Sequence, residues 1–325
     1  MKKLLVICGP TATGKTKLAL SLARLVGGEV LSCDSRQVYK GMDIGTGKDL
    51  PKDGKWRAEE SGLGFYEIDG TKVWGYDLTE PKEEFSVSQY IKIASRILKN
   101  IWKKGKTPII VGGTGLYLKA VLDGIATAEI PRNDSLRTTL EEMPTGALFE
   151  TLAQLDSTKA ASMNSSDKNN KRRLVRAIEI AQWLIDKRLV SKNKGFYPTS
   201  DCLIIGLFAP KEYLAVRVKL RVDSRLKRGI LEEVKTLLST GLKWESHAMN
   251  SMGYLQWRDY FEHGASMESV LEKWTRDETS YVKRQMTWFK KDKRIVWFDI
   301  SKENFSKEVE SMVKKWYHGP VKGKK

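Results

Sequence analysis

The sequence predicts an α/β fold, a P-loop-containing parallel sheet with flanking helices and a helical insertion domain. Three observations predict it. Short, uniformly apolar runs alternate with helix-period stretches over the first 123 residues; the first run leads through Gly9–Thr16 (GPTATGKT) straight into a helical pattern; and between about Gly124 and residue 200 the strand signal disappears while the helical one persists.

Lys3–Cys8 (KLLVIC) reads as a central parallel strand because it is apolar at consecutive positions, as a strand covered on both faces must be. Lys15–Val26 then puts Leu18, Leu22, Ala23 and Leu25 on a helical face. Glu29–Asp34 (EVLSCD) and Thr107–Gly113 (TPIIVGG) are further strands, with a helix between them at Val87–Trp102. Leu136–Glu142, Ala147–Leu155 and Lys171–Lys187 read as helices of the insertion, and Cys202–Phe208 (CLIIGLF) returns the chain to the sheet. Arg217–Leu238, Met267–Phe289 and Phe305–Trp316 supply later helices, Arg294–Ile300 a last or edge strand, and Lys314–Lys325 a frayed, electrostatic tail. The expected division is a catalytic core of 1–123 plus 201–325 and an insertion of 124–200, a mobile lobe in the reading below.

With 325 residues, 41% of them apolar, the chain can bury a substantial core. Its 57 Lys and Arg against 40 Asp and Glu give a net charge of +17, so polyanions are the expected partners. The charge is unevenly placed: residues 1–150 hold 22 basic and 19 acidic side chains, leaving an excess of +14 for residues 151–325. Cys8, Cys33 and Cys202 lie in or beside apolar runs with no C-x-x-C, which reads as buried thiols of a reducing compartment. His247, His263 and His318 show no ligand spacing, so no structural zinc is expected. No apolar run approaches the roughly 20 residues of a membrane helix, and Met1 leads directly into a strand rather than a leader, so the expected location is the cytoplasm and the expected state a monomer.

Gly9, Pro10, Thr11, Ala12, Thr13, Gly14, Lys15 and Thr16 match G-x-x-x-x-G-K-[ST] between a strand and a helix, the context that makes the pattern a phosphate cradle. Backbone N–H groups and the helix N-terminus face the anion, Lys15 adds a point charge, and the Thr16 hydroxyl can hold Mg²⁺. Phosphate-loop kinases and ATPases also carry an apolar strand ending in a metal-binding Asp, and neither Ile109–Gly113 nor Leu203–Gly206 ends so; Asp299 after Val296–Phe298 reads as a surface carboxylate. Asp34, at the end of the second strand, stands over the ligand crevice, placed to touch the metal or take a proton, or else to cap a helix. After the third strand, Gly112–Gly115 permits close backbone approach, and the Thr114 hydroxyl can donate to a bridging or leaving oxygen. Arg137 opens the insertion as a candidate diphosphate clamp or a solvated helix arginine. Lys171, Arg172, Arg173 and Arg176 read as one basic helical face, in a stretch (168–194) with nine basic and two acidic residues. Lys283, Arg284, Gln285 and Trp288 interleave cations and aromatics, as base stacking wants, although Trp288 could equally be core.

Together, GPTATGKT, DSRQVYKGMDIGTGK (Asp34–Lys48), VGGTGLYLKA (Val111–Ala120), KRRLVRAIE (Lys171–Glu179), MGY (Met252–Tyr254) and KRQMTWF (Lys283–Phe289) resemble the tRNA dimethylallyltransferase, or tRNA isopentenyltransferase, family over nearly the whole chain. The resemblance implies transfer of a dimethylallyl group from dimethylallyl diphosphate to the exocyclic amine of the adenosine 3′ to the anticodon, with Mg²⁺ present. It implies Asp34 as general base, Thr114 near the bridging oxygen and Arg137 on the diphosphate. It further implies contacts to the tRNA anticodon stem-loop from Asp34, Ser35, Arg36 and Gln37 and from Arg172 to Arg176, and an insertion that clasps the stem. Between Lys48 and Ser86 the family's His-His-Leu-Ile-Asp stretch is replaced by a segment with Trp56, Tyr66 and Trp74, and Asn170 stands where Asp is usual. Two other readings remain at this stage: an isopentenyltransferase acting on free adenine nucleotides, and a phosphate-loop kinase or RNA-binding ATPase.

Overall fold

The structure, a computed structural model, describes residues 2–51, 54–59, 62–187, 195–197 and 200–319. One eight-stranded sheet is built from β1 (Lys2–Cys8), β2 (Glu29–Ser32), β3 (Trp56–Ala58), β4 (Gly64–Ile68), β5 (Thr71–Trp74), β6 (Pro108–Val111), β7 (Ser200–Phe208) and β8 (Val296–Asp299), in the order β3-β4-β5-β2-β6-β1-β7-β8. All pairings from β5 to β8 are parallel, whereas β4 runs antiparallel to β5 and β3 to β4. β1 is central, and its alternation explains its composition. Leu4, Val6 and Cys8 enter the core on one face while Leu5 and Ile7 enter the core on the other, so no position tolerates a polar residue.

The helices are α1 (Lys15–Val26), α2 (Val87–Lys103), α3 (Gly115–Asp123), α4 (Asp134–Glu142), α5 (Thr145–Leu155), α6 (Ser157–Ser162), α7 (Ser165–Lys168), α8 (Lys171–Lys187), α9 (Lys211–Lys227), α10 (Ile230–Ser239), α11 (Arg258–His263), α12 (Met267–Phe289) and α13 (Phe305–His318). α2 starts on a capping box in which the Ser86 hydroxyl accepts from the Gln89 N–H and the Gln89 side chain accepts from Ser86.

Two compact units result: 1–123 with 196–325, which holds the sheet, and 124–195. The boundary falls at Phe196 rather than at residue 201, because the Phe196 ring packs 5.4 Å from Trp102 and β7 already begins at Ser200. The second unit has its own core of Leu140, Leu148, Leu152, Leu174, Val175 and Ile178 on α4, α5 and α8. Its short helices start on side-chain caps from Asn133, Asp156 and Asn164, and Asn170 accepts the Arg173 N–H at the start of α8.

Two sequence expectations need correction. Arg217–Leu238 is not one helix: α9 ends at Lys227, and Gly229, in the left-handed region at φ 95°, turns the chain into α10. The segment between Lys48 and Ser86 holds three strands that the apolar-run reading passed over. β4 and β5 form a hairpin whose turn residues Asp69 and Gly70 both have positive φ (48° and 71°), the primed turn that an Asp-Gly pair favours. Of the tail read as frayed, Lys314–His318 belong to α13, whereas its residues 320–325 and residues 188–194 of the basic stretch lie outside the described residues.

Candidate active site

β2, β6 and β1 are neighbours, so their carboxyl ends bring three loops together: Thr11, Ala12 and Gly14–Thr16 of the first, Asp34–Gln37 and Gly112–Gly113 line one cleft of about 780 Å³ within the sheet-bearing unit. The first loop is possible only with its glycines. Gly9 has φ 132°, and a Cβ there would lie 2.3 Å from the Leu207 carbonyl oxygen; Gly14, at φ 80°, is the left-handed N-cap of α1. Thr13 Oγ1 and Lys15 Nζ donate to the Pro10 carbonyl at 2.8 and 2.6 Å, closing the loop around its own backbone. Burial, reinforced by the nearby Arg221 and partly offset by Asp34, pulls the Lys15 ammonium down from its ordinary value to about 8.

The facing wall is α9, and its functional residues went unread in the sequence. Arg217, Arg221 and Arg225 recur every fourth residue and so form one helical stripe, a signal visible in RVKLRVDSR once the helix is recognised. Arg217 Nε donates to the Ala12 carbonyl at 2.6 Å, and Arg221 Nη1 donates to Thr11 Oγ1. Arg225 is buried and donates to Glu278 at 3.2 Å; burial, with Arg221 next, lowers it to about 10. Three guanidiniums and an ammonium therefore face a loop of backbone N–H groups, a cleft electrostatically made for an anion.

Asp34 lies on the same cleft, its Oδ1 accepting the Arg36 N–H at 2.8 Å in a local turn rather than capping a helix. Thr114 Oγ1 accepts the Ser35 N–H at 3.1 Å, which ties the second and third loops together beside Asp34. Arg36 donates to the His247 carbonyl at 2.8 Å. The Gln37 side chain is held between Ser32 Oγ (2.7 Å) and the Gly47 carbonyl (2.8 Å). That 43–47 loop is itself fixed by the Glu233 carboxylate, which accepts the N–H groups of Asp43, Ile44 and Gly45 and the Tyr254 hydroxyl. Tyr254 is the tyrosine of the MGY motif.

α12 has two faces, which separates residues that the sequence grouped. Tyr281, Arg284 and Gln285 line the cleft; Lys283 lies on the other side of the helix. Gln285 is buried, with Oε1 accepting the Thr11 N–H and Nε2 donating to the Gly113 carbonyl, both at 2.9 Å, so its amide bolts the phosphate-type loop to the third-strand loop. Trp288 is 44% exposed, not core, and its indole covers Gly115, where any Cβ would lie 2.1 Å from the ring. Burial and Asp34 hold the Tyr281 hydroxyl above its ordinary value, so it stays protonated.

In the 124–195 unit, Arg137 and Arg176 converge on the buried Glu179. Arg137 Nε and Nη2 donate to its two oxygens at 2.9 Å, Asn133 N–H adds a bond at 2.7 Å, and Arg176 pairs with it while donating to the Thr127 and Ile130 carbonyls. Arg176 thus turns inward, away from the exposed Arg172 and Arg173 with which the sequence grouped it. A diphosphate contact from Arg137 would have to compete with this carboxylate.

The oxygens on the cleft are hard donors: the Thr16 hydroxyl and the Asp34 carboxylate both line it. Among the described residues there is no cluster of three or more His, Cys, Asp or Glu able to hold a metal alone. This sparse set fits Mg²⁺, which keeps its waters and takes phosphate oxygens from a substrate.

These features define the class as a strand–loop–helix α/β protein with an anion cleft at the ends of three parallel strands. The chain belongs to the IPP transferase family, whose model matches residues 37–292; the isopentenyl transferase model also matches residues 2–56. It is 35% identical to the tRNA dimethylallyltransferase of Anoxybacillus flavithermus over 321 residues, covering 96% of this chain and 95% of that protein, and 36% identical to that of Carboxydothermus hydrogenoformans, covering 96% of each. The structure resembles the full-length tRNA isopentenylpyrophosphate transferase of Bacillus halodurans with a TM-score of 0.68 at 29% identity, over 98% of this chain and 97% of that one. A eukaryotic dimethylallyltransferase acting on tRNA shares the fold with a TM-score of 0.77 at 23% identity, over 100% and 82%.

Proposed function

We propose that this chain transfers a dimethylallyl group from dimethylallyl diphosphate to the exocyclic N6 amine of the adenosine 3′ to the anticodon of tRNA. The observation that carries the reading is the juxtaposition of Asp34 with the Gly9–Thr16 loop and the α9 arginines in one cleft; the family's relatives named tRNA dimethylallyltransferase support the substrates.

The chemistry follows from the residues. The allylic C–O bond breaks and its electron pair leaves with diphosphate, so negative charge grows on oxygens facing Lys15, Arg217 and Arg221. The Thr114 hydroxyl, next to Ser35, donates to the bridging oxygen. The amine lone pair forms the new C–N bond, and the amine proton passes to Asp34 and then to water. The adenine leaves its stack to reach the cleft. The Thr16 hydroxyl would hold Mg²⁺, which would supply further charge neutralisation to the leaving diphosphate. RNA is met by Arg36, by Arg284, and by the exposed Arg172 and Arg173.

Incubation with labelled dimethylallyl diphosphate, Mg²⁺ and unmodified tRNA should label one adenosine. Label in AMP but not tRNA, or ATP turnover without any allylic substrate, would replace this reading with another. Asp34→Ala should lower turnover by about 10²–10⁴-fold with tRNA affinity nearly intact; near-normal turnover removes Asp34 as the base.

A further inference from the structure

We propose that the chain has a second ligand site, on the far side of α9 and α12 from the cleft, that takes a small amphiphilic anion: an apolar chain with one anionic head. A cavity of about 580 Å³ lies there, within the roughly 300–1,000 Å³ of ligand pockets, which are walled by apolar groups with a few polar ones at the edge. Its floor is Leu214, Val218 and Val282, and its sides include Met286 and the edge-to-face pair Phe208 and Trp297, whose centroids are 6.1 Å apart. Three lysines, Lys211, Lys283 and Lys290, stand exposed on its rim, and none is ion-paired among the described residues.

The occupant follows from that distribution. The floor is already buried, but the sides formed by Phe208, Met286 and Trp297 are only half-buried, and apolar surface left to water costs free energy in proportion to its area, so an apolar body that covers them is drawn in. A rim of one sign selects the head group: a neutral chain gains only the floor, a cationic one is repelled, and an anionic one gains both. A stretch of RNA or a charged peptide fits less well, since neither offers an apolar chain to cover those half-buried sides.

Geometry also separates this site from the cleft. Leu214 and Val218 alternate on α9 with Arg217 and Arg221, and Val282 and Met286 alternate on α12 with Arg284 and Gln285. The two ligands therefore bind at once, on opposite faces of the same helix pair.

Titration of the intact chain with 8-anilinonaphthalene-1-sulfonate tests the proposal. Saturable one-to-one fluorescence enhancement is expected, displaced by decanoate, at least tenfold less well by decanol, and not by inorganic diphosphate. Ala215→Trp, which fills the cavity from its wall, should weaken the dye at least tenfold. Should that variant misfold, Lys211→Glu with Lys290→Glu on the exposed rim should weaken it severalfold. Absence of saturable binding, displacement by diphosphate, equal potency of decanol, or unchanged affinity in a folded variant would overturn the site.

Discussion

Two clusters of arginine around a buried glutamate sit in the two units of this chain, and they are built differently. In the 124–195 unit, Glu179 is saturated: two guanidiniums and a backbone N–H meet both its oxygens, and Arg176 Nη2 donates to two carbonyls. In the sheet-bearing unit, Glu278 takes only one 3.2 Å bond from Arg225 and one from Thr11, and Arg225 Nε has no partner among the described residues. Arg217 donates to a carbonyl and lies over the Tyr213 ring, Arg221 donates to a hydroxyl, and among the described residues neither pairs with a carboxylate, so both keep their charge on the cleft. A closed cluster is a fold device; an open one holds positive charge in reserve for an anion.

The sharpest break in that comparison comes from removing Glu179. Glu179→Ala strands two half-buried guanidiniums, and the expected cost is on the order of 3–5 kcal/mol of the unit's stability, read by thermal unfolding or protease susceptibility within 124–195. KM for the allylic diphosphate should stay within about twofold. Arg221→Ala should do the reverse, lowering kcat/KM by about 10²–10³ with little change in unfolding. Arg137→Ala decides the role that family resemblance gives that residue: a loss that tracks Glu179→Ala makes it structural, and a raised KM like that of Arg221→Ala makes it a clamp.

Acid pH sharpens the same contrast by a smaller amount. Burial alone would raise the Glu179 carboxyl, but Arg137, the Asn133 N–H and Arg176 together hold it down to about 2 against an ordinary 4.5. Its folded value lies below its unfolded one, so this stabilisation is fully present above about pH 4.5 and disappears as pH falls toward 2. Unfolding of 124–195 followed by amide hydrogen exchange within that unit should show that window, and Glu179→Gln should lack it. A variant with the same acid profile would move the effect elsewhere.

How much of this was legible from sequence depends on the range of the interaction. GPTATGKT, Asp34 and VGGTGLY are local signals, because strand ends and glycine loops write their geometry into consecutive residues. The three central strands and their cleft follow from them. The Asp69–Gly70 hairpin was equally local but short, and its strands are too brief for a periodicity argument. Arg176 was misgrouped because Glu179 lies one turn away on its own helix while Arg137 arrives from a distant one; charge counting sees the cations and not the carboxylate that turns them inward. The α9 stripe was readable in its spacing, yet only tertiary structure brings it to the Gly9–Thr16 loop, some 200 positions earlier in sequence.

Lys15 gives the smallest and most discriminating test. Its ammonium is depressed to about 8 because burial and Arg221 disfavour the charged form. Below that pH it enters binding already charged. Above it, the anion must first recruit a proton, so affinity falls by up to about tenfold per pH unit. KM for the diphosphate substrate should therefore be flat to about pH 7 and climb past 8. Lys15→Arg should be flat throughout, since guanidinium does not titrate there, while carrying a constant penalty for its shape. Arg221→Ala removes the cation that helps depress Lys15, so in that variant the climb should begin at higher pH even as binding weakens overall. A wild-type profile flat through pH 9.5 would mean that the cleft's reserve of charge lies wholly with the arginines.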